Sequence, residues 1–427
     1  MTLPSTLADT QILIVGAGLA GLHCALRLSQ KSPTVSITIA EAYNYVGGRV
    51  TTYKPKDFTG IHWENGAGRV HSSHKLIRSY IKRYKLHEMP IDPNQIYAGS
   101  GMQGTNTWES FSEIIIKTFS TLHPRTLSSH TVQELLVKAY GVEKSNELLM
   151  HFPYRAEVTT LRADLALKSF QKEMGTNSHF TVVQEGLGAI IQGMRKELEE
   201  RGVKFLLNHK LSAVVPESKP IVCNFIETDE NKKFHVRISA DKVILALHSD
   251  SLKKISPFAN LPVLKHLSMK PLLRTYGIFE TGKGGAWFKD MPKVVTDSPL
   301  RYIIPINPNQ GTIMTSYTDD DDTRHWMKLY DEGGNVLRKA ITKELRKQFP
   351  EKKIPEPVYF KAHPWHQGCT YWLPGFYDPV EESKKVMCPQ PLKWQNLYAC
   401  GESFSIRQAW MEGALEHADA MLNKYFL

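Results

Sequence analysis

Three glycines, Gly16, Gly18 and Gly21, stand at G-x-G-x-x-G spacing within QILIVGAGLAG. Glycine at those places suits a phosphate-bearing ligand. Gly16 permits a tight turn, Gly18 lets the backbone approach a pyrophosphate, and Gly21 lets a helix pack closely on a strand. The first turn of that helix would offer free N–H groups and a positive dipole end to the anion. An acid about 20 residues further on should accept hydrogen bonds from a ribose, and Glu41 stands there. A carboxylate at that position disfavours a 2′-phosphate and argues against NADP. The spacing leaves NAD and FAD both open.

The elements that must position these residues are legible around them. ILIV at 12–15 is a continuous apolar run, as in a strand buried on both faces, and LAGLHCALRLSQK has helical periodicity. VSITIAEA at 35–42 alternates and is β-branched, so a βαβ unit opens the chain. Residues 72–180 are rich in helical patterns (HKLIRSYIKRYKL, SFSEIIIKTF, TVQELLVKAY), and 186–202 form an amphipathic helix ending at Gly202. VKFLLN, LSAVVP and KVILALHSD read as strands. Residues 262–380 contain strand-like runs (LLRTYGIF, LRYIIPI, GTIMTSY) and one helix, NVLRKAITKELRKQF. NLYACGES ends the strands, and QAWMEGALEHADAMLNKY reads as a last helix. The expected class is α/β plus α+β. A Rossmann-like nucleotide domain is built from 1–75, 183–260 and 390–427. A substrate domain with a mixed sheet and a helical insertion, from 76–182 and 261–389, is threaded into it.

Composition narrows the function classes. The chain has 427 residues, 41% hydrophobic and 22% charged, and a formal net charge of +10. No RNP-like, zinc-finger or helix-turn-helix signature accompanies the positive charge, so nucleic acid is not expected. Lysines and arginines are spread along the chain, with acidic runs such as Asp319-Asp320-Asp321-Asp322 between them. Most of this charge reads as solvated surface; attraction of an anionic substrate is the functional alternative. No run of 18 apolar residues exists, MTLPSTLADT lacks the pattern of a secretory signal, and AMLNKYFL carries no address motif. The expectation is a cytoplasmic protein with no membrane partner. The five cysteines are scattered without a CxxC, which argues against a disulfide framework and against a zinc site; no metal is expected.

A second glycine cluster separates the two cofactors. Glu41-Ala42-x-x-x-x-Gly47-Gly48-Arg49 resembles the extended FAD fingerprint of the flavin-containing amine oxidase superfamily, which includes monoamine, polyamine and L-amino-acid oxidases. A guanidinium such as Arg49 forks onto phosphate, and glycines allow close approach. Three more segments resemble that superfamily in order. Glu64-Asn65-Gly66-Ala67-Gly68-Arg69 is similar to its flavin-lining segment, and Leu397 to Ser403, with Gly401 and Glu402, to its F-A-G-E strand end. Trp410-Met411-Glu412-Gly413-Ala414 is similar to its G-Y-x-E-G-A helix start, with Ala409 and Trp410 in place of the usual glycine and tyrosine. The resemblance implies a hydroxybenzoate-hydroxylase-like FAD domain. Gly16, Gly18, Gly21, Glu41, Gly48, Arg49, Gly66, Ala67, Gly68, Arg69, Val214, Gly401, Glu402, Met411 and Ala414 would lie against the cofactor.

It also implies the chemistry. The flavin takes hydride from a carbon bearing an amine, and O2 reoxidises it, yielding imine and H2O2. Tyr371 or Trp372, in HPWHQGCTYW, would face the flavin opposite Trp410 as an aromatic enclosure. Arg69 would grip a substrate carboxylate, as in L-amino-acid oxidases, or pair with a structural acid or the FAD. Arg274, in LLRTYGIF, takes the place of a lysine many members carry near the flavin, with Lys270 as another candidate; Arg is no substitute for Lys as an adjustable point charge. His71 and His74 could tune amine protonation but read better as loop or helix-start residues. Gly368-Cys369 resembles the flavin-tethering G-C-Y of monoamine oxidases. A buried free thiol and non-covalent FAD are the expected state. An L-amino acid is the expected substrate, and a homodimer is left open. The alternatives are polyamine or aryl-amine oxidation, a desaturase or protoporphyrinogen-oxidase-like enzyme, and a non-catalytic flavoprotein.

Overall fold

The computed structural model of the chain describes residues 7, 9–99, 102–103, 107–173, 179–229, 232–390 and 392–427. Most of the N-terminal stretch considered above as a signal, residues 1–6 and 8, lies outside the described residues.

Five parallel strands form one sheet in the order Lys204–Leu206, Ser36–Ala40, Gln11–Val15, Lys242–Leu245, Leu397–Ala399. Successive side chains of a strand point to opposite faces. Ile12 and Ile14 accordingly enter one core, and Leu13 and Val15 enter the other. The first core is roofed by helices Leu19–Lys31, Gly188–Glu200 and Met411–Tyr425. The second is closed partly by the antiparallel sheet of His209–Val215, Ile221–Asp229 and Lys232–Ala240. The last two strands of that sheet form a hairpin that the sequence reading missed. Helix Lys75–Arg83 packs on the nucleotide-side core. It buries Ile77, Tyr80 and Ile81 there, beside the terminal helix.

The second large sheet has seven strands in the order Tyr359–Trp372, Leu267–Ile278, Thr312–Asp319, Tyr302–Asn307, Lys293–Val295, Gln95–Gly99, Met102–Gln103. It is mixed: Lys293–Val295 runs parallel to Gln95–Gly99 and the other pairs are antiparallel. The long pair is interrupted where Lys270 faces Cys369 but Leu272 faces Trp365. Pro271 lies at the break; it has no N–H for the ladder. Residues 366–368 are left to bow outward, which frees the Gly368 carbonyl.

The acidic run is only in part solvated surface, with Asp321 exposed and its neighbours drawn inward. Asp319 and Asp320 are 3% and 8% exposed. Asp319 Oδ1 accepts the Arg155 N–H at 2.7 Å, at the start of helix Arg155–Thr159. Asp320 Oδ2 accepts the Thr159 hydroxyl at 2.9 Å, and its Oδ1 lies 3.0 Å from Lys270 Nζ. Asp322 lies 3.0 Å from Arg301 Nε. Three of the four acids therefore tie this short helix and its neighbours to the large sheet. Burial holds Asp319 at about 7, far above the usual carboxylate range.

Candidate active site

The glycine turn closes as its spacing predicts. A Cβ on Gly21 would fall 2.0 Å from the Gly16 carbonyl oxygen, so the helix can begin only with glycine there. A Cβ on Gly18 would meet nothing within 4 Å. The protein's own packing therefore does not explain Gly18; it leaves an open cradle at the N-terminus of helix Leu19–Lys31, where an anion is favoured. Gly47 donates its N–H to the Ala17 carbonyl at 2.9 Å, and Gly48 sits with φ +58° against the Gly18 backbone. The two glycine clusters thus share one surface. Glu41 braces the turn from inside: Oε2 accepts the Ala17 N–H at 2.7 Å and Oε1 accepts the Tyr43 N–H at 2.9 Å.

Arg49 and Glu402, 353 residues apart, meet at this surface. Arg49 Nη2 donates to Glu402 Oε2 at 2.9 Å, and Nη1 donates to the bowed-out Gly368 carbonyl at 2.7 Å. Glu402 also accepts from the Thr370 N–H and hydroxyl, both at 3.2 Å, and from the Ala409 N–H at 2.8 Å. Gly401, at φ +138°, lets the strand end turn into this position. Met411 and Ala414 are buried in the first turn of the terminal helix, and Val214 is buried in its strand. Between them Glu412 accepts the Leu76 and Ile77 N–H groups at 2.8 and 3.0 Å, capping helix Lys75–Arg83.

The segment 64–69 crosses between the two sheets and is held by its carbonyls. The Glu64 oxygen accepts from Tyr276 Oη at 2.6 Å and Arg274 Nη1 at 3.2 Å, and the Asn65 oxygen accepts from Trp365 Nε1 at 2.5 Å. Gly66 lies against the Arg49 carbonyl, and Ala67 donates to that carbonyl at 2.9 Å. Gly68 is packed on the Arg274 guanidinium, which would lie 3.0 Å from an added Cβ. Arg274 therefore backs this segment, while Lys270 is partly exposed and paired with Asp320.

At the end of the segment the Arg69 guanidinium lies among three rings: 4.3 Å from Phe180, 5.2 Å from Tyr154 and 5.4 Å from Trp410. Phe180 stacks on Trp410 with centroids 5.7 Å apart, and His74 meets Trp410 edge-on at 5.0 Å. His74, just before helix Lys75–Arg83, is buried with Nε2 3.4 Å from Glu173, which also receives Arg407 at 3.1 Å. His71 packs against Phe180, and burial lowers its pKa. The rings against Trp410 are thus Phe180 and His74, and Tyr154 joins Phe180 and Trp410 around Arg69. Trp372 and Tyr371, expected to face Trp410, are 0% and 4% exposed in the core; the Trp372 indole donates to the Ser405 carbonyl at 2.9 Å. Sequence distance hid this exchange, since Tyr154 and Phe180 lie in segments with no motif of their own.

A further acid was not foreseen. Glu157, three residues after Tyr154, is 9% exposed, and its Oε2 is buried with no hydrogen-bond partner among the described residues. Burial pushes it up to about 8; Arg69 pulls it down, and Asp319 and Glu173 push it up. Burial also pushes the Cys369 thiol up to about 12. Nothing in YRAEVTT distinguishes this glutamate from a surface one, because its burial depends on the acids of 319–320 that hold its helix.

The comparisons with known proteins follow the same geometry. A family model for flavin containing amine oxidoreductases matches residues 19–420. The chain belongs to that family. An L-amino-acid oxidase of Siganus canaliculatus is 24% identical over 97% of this chain and 85% of its own. Among solved structures, an Exiguobacterium sp. 255-15 protein assigned as a protoporphyrinogen oxidase superposes with a TM-score of 0.72 at 16% identity, covering 98% of each chain. A putrescine oxidase variant gives 0.72 at 15%, covering 98% of this chain and 99% of its own. These two likenesses are of fold.

The protein is accordingly an FAD-dependent oxidoreductase acting on an amine, with O2 as the oxidant the family implies. The open face at Gly18 and the glycine surface beside it fit a dinucleotide, so Gly16, Gly18, Gly48 and the helix N-terminus would hold the pyrophosphate. FAD supplies hydride acceptance when bound. The chain's own part is to seat the amine, strip its water and set its protonation. Among the described residues no helix is long and apolar enough to cross a membrane.

Proposed function

We propose that the amine is the α-amino group of an L-amino acid, oxidised at its C–N bond to the imine. The observation that carries this reading is Arg69. It ends the segment that lines the cofactor surface, and its guanidinium is framed by Phe180, Tyr154 and Trp410. A planar cation among rings suits a carboxylate joined to an apolar or aromatic side chain, because the fork binds two oxygens while the rings exclude water. The L-amino-acid oxidase relative supports the same substrate class. Trp410 and Phe180 would shape the side-chain pocket, and Arg274 would keep Gly68 and Arg69 in register from behind. FAD is proposed to be held without a covalent tether.

The test is anaerobic bleaching of the flavin with L-amino acids and with the matching amines that lack the carboxylate. The amino acids should bleach. Arg69→Ala should raise their Kd about 100-fold, as loss of roughly 3 kcal/mol of charge-assisted hydrogen bonding requires. Equal bleaching by the decarboxylated amines, untouched by Arg69→Ala, would remove the carboxylate from the reading.

A further inference from the structure

We propose that Glu157 receives the substrate's ammonium group and takes a proton from it, so that Arg69 and Glu157 form a two-point receptor for a zwitterion. The proposal rests on the amino-acid reading for its carboxylate half only.

A buried carboxyl with an unpartnered oxygen is expensive, and the fold holds this one in place. Asp319 and Asp320 anchor both ends of the short helix that carries it. The charges around Glu157 are few. Arg69 is the cation acting on it, and Asp319 and Glu173 are the acids. Glu173 is matched by Arg407 and His74, and Asp319 by two backbone N–H groups. Glu157 in turn acts on Cys369 and Tyr371, in the strand whose Gly368 and Thr370 meet Arg49 and Glu402. Tyr154, just ahead of the same short helix, has its ring 5.2 Å from the Arg69 guanidinium, so the helix that carries Glu157 starts beside Arg69. Arg69 is the one cation acting on Glu157 among the described residues, so when a substrate carboxylate draws on Arg69, a cation of the same ligand can satisfy Glu157. An α-ammonium, one carbon from the carboxylate, has the reach for adjacent opposite charges.

The step balances without a co-reactant. R–NH3+ gives one proton to the Glu157 carboxylate, leaving R–NH2 and a neutral carboxyl. A dry pocket favours that neutral pair over the ion pair, and the amine lone pair it frees is what C–N oxidation needs.

The experiment is stopped-flow reduction of the holoenzyme by its best amino acid across pH 6–10. Glu157 must be ionised to receive the ammonium. In the wild type the reduction rate divided by Kd should therefore fall as pH drops through about 8. Glu157→Gln should lose at least tenfold at pH 9, and that limb should vanish, leaving the substrate's own ammonium ionisation. Binding supplies a second readout. Benzoate, which has a carboxylate and no amine, should bind Glu157→Gln within twofold of wild type but bind Arg69→Ala weakly. Benzylamine should show the reverse. Glu157→Asp, which keeps the acid, should keep the limb at a reduced rate and serves if the amide variant does not fold. An unchanged limb and rate in Glu157→Gln would overturn the proposal. A lost limb with benzoate binding insensitive to Arg69 would leave Glu157 standing and remove the amino-acid reading instead.

Discussion

Glu402 offers the sharpest separation between a cofactor ligand and a structural joint. Its carboxylate takes Arg49, the Thr370 N–H and hydroxyl, and the Ala409 N–H. It thereby joins the second glycine cluster, the bowed strand and the entry to the terminal helix. Glu402→Gln removes the charge and turns an amide toward groups that are all donors. A hydrogen bond to a charged group contributes about 1.5–3 kcal/mol, and breaking a buried ion pair about 3–5. Arg49 is 30% exposed at its side chain, so water recovers part of its loss. A net destabilisation of about 3 kcal/mol follows. At about 2.1 cal/mol/K per residue, 427 residues have an unfolding entropy near 0.9 kcal/mol/K, so the apoprotein should melt about 3 °C lower. The assay is thermal and urea denaturation of apo and holo forms, with FAD affinity measured separately. A joint destabilises both forms alike. If the apoprotein is unchanged and only FAD affinity falls, Glu402 acts on the cofactor directly and the reasoning from its four donors is wrong.

Other outcomes follow from the same coordinates. Ala409 stands at φ +63°, where an L-residue pays about 1–2 kcal/mol over glycine. Ala409→Gly, after the added chain entropy of the unfolded state, should raise the unfolding free energy from urea denaturation by about 0.5–1 kcal/mol; a lower value refutes the strain. Asp319 has its pKa raised on folding from 3.8 to about 7, so its contribution is full below pH 4 and is lost as pH rises toward 7. Asp319→Asn keeps the acceptor for Arg155 and should flatten stability across that window, which pH-dependent denaturation reads directly. Cys369, with its thiol pushed up to about 12, is a poor nucleophile at neutral pH. Acid precipitation should leave the yellow colour in solution, and a yellow pellet would show a tether.

Much of the nucleotide half was legible because its signals are local. The strand at 12–15, the glycine spacing and Glu41 lie within one βαβ unit, where backbone geometry dictates residue type directly. Gly47-Gly48-Arg49 and Gly401-Glu402 could be placed by resemblance, although only the folded chain shows Arg49 and Glu402 bonded to each other. The substrate side was less legible. The strand His363 to Trp372 announced its aromatic residues but not which of them is buried, because Tyr371 and Trp372 both end in the core at 4% and 0% exposure and the packing at the strand end, not alternation, decides it. The acidic run 319–322 looked like solvated surface since charge alone does not report burial. Its role appears only when the helix Arg155–Thr159 docks on it.

Sequence by itself determined the glycine turn and the family, since these rest on residue types that backbone approach permits at fixed spacing. Tertiary structure decided which aromatic rings surround Arg69, that Arg274 supports Gly68 from behind, and that Glu157 is a buried acid whose Oε2 has no hydrogen-bond partner among the described residues. Each of those depends on groups more than 80 residues apart meeting where water is excluded, and neither spacing nor composition encodes that exclusion.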